Sequence, residues 1–143
     1  MLPLYYKKEN KETYFVFSVQ DNLGFKGAKV ATQEINPQKA VVIGSADTSN
    51  KITKIEAGKG AVLRIKDKAA VFGKDVIEEL SDVVRSEGMQ REIADDSAIT
   101  NNNIMFLNSG IPAVNINIPV KHYGSCYEAV CFEDIKALVE SII

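Results

Sequence analysis

Thr13-Tyr14-Phe15-Val16-Phe17-Ser18-Val19 runs straight into Gln20-Asp21-Asn22-Leu23-Gly24-Phe25-Lys26-Gly27-Ala28. The first seven residues are aromatic and β-branched, side chains that suit a pleated surface, and they predict a buried strand. Gly24 and Gly27 then bracket a turn into a helix over about 25–34, which Pro37 closes. A strand, an acidic turn and a helix in that order point to an α/β protein.

The rest of the chain repeats the alternation. Residues 40–43 form a short apolar run, a second buried strand. Residues 47–51 are polar and turn-like. Gly58-Lys59-Gly60 separates two strand-like stretches within 54–65. The clearest helix spans 75–87, because Val76, Ile77, Leu80, Val83 and Val84 recur on one helical face. Gly88 stops it in a position that favours a left-handed residue. Residues 91–94 read as an edge strand. Asn101-Asn102-Asn103 opens a short helix or turn ending near Ser109-Gly110. Over 113–118, Val114, Ile116 and Ile118 alternate with Asn115 and Asn117, and Pro119 is expected to end that strand. A terminal helix over 132–143 carries the stripe Phe132, Ile135, Leu138, Val139 and Ile142. Glu133 and Asp134 suit its positive N-terminal end.

The expected fold is therefore a layered α/β sheet with helices on both faces. Residues 1–143 form a single domain, and a chain of this length buries roughly 70% of its unfolded surface. Sites in such sheets form at the carboxyl ends of strands. Gln20-Asp21-Asn22, Gly44-Ser45 and residues 119–125 are thus candidates for one shared rim.

Composition removes several function classes. A net charge of −2 and mixed signs in Lys7-Lys8-Glu9-Asn10-Lys11-Glu12 leave no basic stripe, so no nucleic-acid partner is expected. No apolar run reaches membrane-spanning length, and the first residues are too quickly charged for a secretory leader, so no membrane partner is expected and the location is read as cytoplasmic. Cys126 and Cys131 read as reduced thiols, with a disulfide as the alternative.

Four collinear motifs resemble the glutamyl aminopeptidase (deblocking aminopeptidase) family of dinuclear metallopeptidases, which often build large tetrahedral particles. The family pattern Thr-Val-Gln-Glu-Glu-Val-Gly-Leu-Arg-Gly-Ala faces the stretch from Ser18 to Ala28. Gly58-Lys59-Gly60 with Ile65-Lys66-Asp67-Lys68 matches a Gly-Lys-Gly and Lys-Asp-Arg stretch. Ser109-Gly110-Ile111-Pro112 matches Ser-Gly-Val-Pro. Pro119-Val120-Lys121-His122-Tyr123-Gly124-Ser125-Cys126-Tyr127-Glu128 overlays Pro-Thr-Arg-Tyr-Ile-His-Ser-Pro-Val-Glu without a gap. The similarity runs from about Tyr14 to the C-terminus and implies a truncated zinc-aminopeptidase catalytic domain. The family's upstream half and its inserted domain are expected to be lacking.

What the resemblance implies about chemistry is a series of departures. The family's general base, a Glu, is Asp21 here, one methylene shorter. The neighbouring Glu, a metal ligand, is Asn22, a far weaker donor for zinc or cobalt. The family's ligand Asp falls at Gly44, with Asp47 three residues late. Its ligand His falls at Gly124, with His122 two residues early, roughly 6–7 Å along a strand. The remaining His and the bridging Asp of the family lie upstream of these motifs.

Two readings follow. In the first, the metal site and catalysis have been lost, no cofactor is bound, and the chain acts as a structural or partner-binding domain, as a homo-oligomer or with a protein partner. Apolar residues near Leu2, Leu4, Tyr5 and Tyr6 would then cover a neighbour. In the second, an altered hydrolase uses Asp21, Asp47 and His122 with zinc or cobalt, completed by another subunit. Lesser alternatives are a soft-metal site or a nucleophile–base pair from Cys126 and His122. Turn and cap roles for Asp21, Asn22 and the Asn101–103 run compete with all of these.

Overall fold

The computed structural model describes residues 4–8, 11–68, 70–94 and 103–142. Its centre is a mixed sheet of five strands. In chain order the elements are β1 (Leu4–Lys8), β2 (Lys11–Phe15), a 3-10 turn (Asp21–Leu23), α1 (Lys26–Ile35), β3 (Ala40–Asp47), β4 (Val62–Lys66), α2 (Lys74–Glu79), β5 (Gln90–Ile93), α3 (Asn103–Leu107), β6 (Ala113–Lys121), β7 (Ala129–Val130) and α4 (Phe132–Ser141).

β6 is the spine. It pairs in parallel with β3 along its whole length, Ala40 opposite Ala113 through Asp47 opposite Val120. On it also sit β4, antiparallel through Val62–Asn117 and Leu63–Ile116, and β7, antiparallel through Val120–Val130 and Lys121–Ala129. β5 borders only β4, so the expected edge strand is found. Pro119 does not end β6. It falls between the stretches paired with β4 and β7, where a missing N–H leaves no ladder bond unmade.

Strand alternation separates the two faces. Val114 and Ile116 of β6 join Leu63, Leu80, Val84 and Leu138 in the main core, with Val76 and Ile77 of α2 packed against it. Ala40 and Ala113, of the opposite parity, pack with Ile111 and with Phe106 and Leu107 of α3. Helices therefore cover both faces, as expected.

Five further expectations need correction. The strand expected over 13–19 is not in the main sheet. β2 stops at Phe15 and pairs with β1 in a separate two-stranded sheet, and Phe15, Phe17 and Val19 are 49%, 75% and 58% exposed. The helix expected over 75–87 is six residues long. Its apolar residues do reach the core, but Lys39 Nζ takes the Glu79 carbonyl at 2.7 Å, and the chain then bends so that Val84 bridges Ile142 and Arg85 N–H bonds the Ser141 carbonyl. Gly88 (φ 77°) turns the chain into β5 rather than stopping a helix. The terminal helix buries Asp134, Leu138 and Ser141, while Phe132 and Val139 face solvent. Its rotation is set by Asp134, whose carboxylate accepts the N–H groups of Gly58 and Gly60 at 2.7 Å each. Only the second of the two strand-like stretches around Gly58-Lys59-Gly60 becomes a strand, β4.

Asn101 and Asn102 lie outside the described residues, as does Leu2. From Asn103 onward the short helix is present, and Gly110 (φ 72°) ends it with its N–H on the Leu107 carbonyl.

Candidate functional site

The parallel pairing of β3 with β6 brings two of the candidate positions to one rim. Asp47 ends β3 opposite Val120, and Thr48 donates both its N–H and its hydroxyl to the Val120 carbonyl, at 3.1 and 3.2 Å. One residue further β6 ends, and the chain turns at His122. Gly44 lies three residues back inside β3, opposite Asn117. Asn22 is the middle residue of the 3-10 turn that leads into α1.

The acidic side chains among the candidates are held by near neighbours in sequence. Ser18 Oγ donates to both oxygens of Asp21, at 2.8 and 3.1 Å. Asp47 accepts the N–H of Ser49 at 2.8 Å and its hydroxyl on both oxygens, at 2.8 and 2.7 Å. This is an Asx turn, and Asp47-Thr48-Ser49 carries its signature. The His122 ring packs on Tyr127 with centroids 5.0 Å apart and planes at 55°. Its backbone is left-handed (φ 58°), uncommon for a residue with a side chain. Gly124 (φ 78°) donates its N–H to Glu128 Oε1 at 2.6 Å.

Asp21, Asp47 and His122 do not converge. Among the described residues no three His, Cys, Asp or Glu side chains are grouped so as to hold a metal ion. Cys126 and Cys131 are both free thiols, the first exposed and the second half-buried. A cleft of about 380 Å³ between α1 and α3 is lined by Lys29, Gln33, Met105 and Asn108 among others, and none of the rim residues reaches it.

A further network of polar groups with distant partners lies under the sheet. Arg64 and Glu92 are 4% and 2% exposed and pair at 3.0 Å from Nε to Oε2. Asn117 Nδ2 donates to the same carboxylate oxygen at 3.0 Å, and Arg64 Nη2 reaches the Ser45 carbonyl at 3.2 Å. Asn115, fully buried beside them on β6, has no partner on either side-chain atom among the described residues. Sequence reading missed this network. Its signal was a charged residue inside the apolar run Ala61-Val62-Leu63-Arg64-Ile65, since a buried strand tolerates a charge only when it is paired.

Three kinds of relative match this chain. The family model for M42 glutamyl aminopeptidase covers residues 3–140. A protein of Acetivibrio thermocellus, provisionally named an aminopeptidase, is 31% identical over 147 residues, covering 95% of this chain and 44% of its own. A lysyl aminopeptidase of Pyrococcus furiosus is 28% identical over 147 residues, covering 92% of this chain and 41% of its own. Among solved structures, the TET1 peptidase of Pyrococcus horikoshii, which can assemble into a tetrahedron or a large octahedral shell, superposes with a TM-score of 0.72 at 25% identity, over 87% of this chain and 38% of that one. An aminopeptidase from the archaeon Desulfurococcus kamchatkensis gives a TM-score of 0.75 at 24% identity, over 92% and 40%. At that identity the likeness is one of fold. This chain spans less than half the length of each of these proteins.

Proposed function

The chain belongs to the M42 glutamyl aminopeptidase family, and on that premise we propose that its rim no longer holds a metal site and that it acts without catalysis, as an assembling or partner-binding domain. The observation that carries this reading is the local engagement of Asp21, Asp47 and His122 by neighbours in sequence. Both oxygens of Asp47 belong to Ser49, and His122 packs on Tyr127.

The donor set does not fit a dinuclear centre. Such a site needs several charged or imidazole groups held in one geometry. Gly44 and Gly124 offer no side chain, and Asn22 offers an amide where the family pattern has a carboxylate. At Gly124 the backbone lies in the left-handed region, which glycine adopts without strain. No step of peptide hydrolysis is routed through this rim.

A second reading has one observation in its favour. Asp47 and His122 end neighbouring strands, so a partner subunit that supplied further donors would complete an altered hydrolase.

The deciding experiment is elemental analysis of the protein purified without a chelating column, followed by calorimetric titration with zinc and with cobalt. Binding no tighter than to a control protein is the expected result. Stoichiometric, tight binding, lost in Asp47→Ala and His122→Ala, would establish the second reading and send the protein to aminopeptidase assays.

A further inference from the structure

The apolar pattern of the sheet leaves the register of β4 open. Leu63 and Ile65, on one side of β4, face the main core together with Val114, Ile116 and Ile118 of β6. A slip of two residues would bring one branched aliphatic side chain into the place of another, and the core would still be filled. The backbone adds little. β4 meets β6 through Val62–Asn117 and Leu63–Ile116, and its ladder with β5 shifts between Arg64 and Lys66.

The opposite side of β4 is not interchangeable. Val62 packs there with Ala46 and Ile55, and Arg64 follows it two residues on. Arg64 Nε donates to Glu92 Oε2 of β5 at 3.0 Å, and its Nη2 reaches the Ser45 carbonyl of β3 at 3.2 Å. The same Glu92 oxygen accepts Asn117 Nδ2 of β6 at 3.0 Å. Each contact ties a different pair of strands: β4 to β5, β4 to β3, and β5 to β6. A two-residue slip moves a side chain roughly 7 Å along its strand, far outside hydrogen-bonding distance. It would leave a buried charge or amide without its partner. All three side chains are buried, so these contacts do not depend on what lies against the outside of the molecule.

We infer that the Arg64–Glu92–Asn117 belt is a register lock: it selects one alignment of β4 and β5 on the β3–β6 pair and contributes little net stability. Taking two charges out of water costs about as much as their attraction returns, so well-packed apolar residues in place of a buried ion pair are often neutral or stabilising. What the belt supplies is a penalty on every other alignment, in which a buried charge has no partner. The apolar side of β4 holds the sheet together, and the polar side decides how it is aligned.

The test replaces the belt with apolar residues, Arg64→Met, Glu92→Met and Asn117→Val together, in the full chain. Denaturant unfolding is expected to give a midpoint no lower than that of the unaltered chain. Heteronuclear NMR is expected to show more than one set of signals for β4, and amide exchange in β4 and β5 faster by about tenfold or more relative to β3. A single set of signals, with the contacts of Val62 to residue 117 and of Leu63 to Ile116 intact, overturns the lock. A triple variant that unfolds or loses stability overturns it as well, because the belt would then be a net source of stability. Asn117→Val alone is the milder variant, since it keeps the ion pair and strands no charge. It is expected to fold and to speed exchange in β4 while β3 is unchanged. Exchange in β4 that stays as in the unaltered chain would show that Asn117 fixes no alignment, and the lock would be rejected on that result alone.

Discussion

Along β6 two kinds of polar site lie a few residues apart. Mid-strand, Asn117 bonds Glu92, and Glu92 bonds Arg64, so the partners are 25 and 28 residues distant in the chain. Past the strand end, His122 meets Tyr127 and Gly124 meets Glu128. Asp47 meets Ser49 and Asp21 meets Ser18 in the same local way. Polar groups under the sheet join strands that are remote in sequence, whereas Asp21, Asp47, His122 and Gly124 close their own turns, and of the rim groups described Thr48 alone reaches across to the neighbouring strand. The first kind specifies which strands pair. The second kind shapes loops.

The contrast can be broken from the inside first. Glu92→Gln leaves the Arg64 guanidinium buried without its counter-charge and is expected to cost about 3–5 kcal/mol in denaturant unfolding. A loss below 1 kcal/mol would place the pair in solvent contact and dissolve the distinction.

Asn115 sharpens the same comparison with the opposite sign. It is buried with neither side-chain atom bonded, so Asn115→Val removes two desolvated polar atoms and adds a strand-forming side chain. A gain of about 1 kcal/mol in the unfolding free energy is expected. A loss instead would mean that the amide is satisfied by internal water, and a high-resolution crystal structure would locate it.

The smallest effect belongs to the rim. Asp47→Ala and His122→Ala should each change stability by less than about 1 kcal/mol, since each removes only local, solvent-facing contacts. A larger loss in either would mean that the rim is part of the scaffold after all.

Much of the fold is legible in residue patterns. β3, β5, α1 and the short α3 follow from apolar runs, from Gly24 and Pro37, and from Gly110. The Asn115 and Asn117 alternation does mark a strand with two different faces. What failed has a common cause. The 13–19 stretch has the composition of a buried strand, yet composition states that a segment suits a sheet and not which sheet edge it will meet. The stripe read on the last helix is right at Leu138 but wrong at Phe132 and Val139, which face solvent, because Asp134, taken for a favourable charge at a helix end, is the buried clamp on the Gly58–Gly60 loop. Its two partners lie more than seventy residues upstream.

Sequence alone determined the α/β class and the family, because periodicity and motif order are local properties of the chain. Only the tertiary structure decided which polar residues are buried and paired, where helices stop, and which apolar segments remain uncovered. Those outcomes depend on which remote groups come within hydrogen-bonding distance, and a burial cost of 1–3 kcal/mol for an unpaired polar group is enough to rotate a helix or redirect a strand.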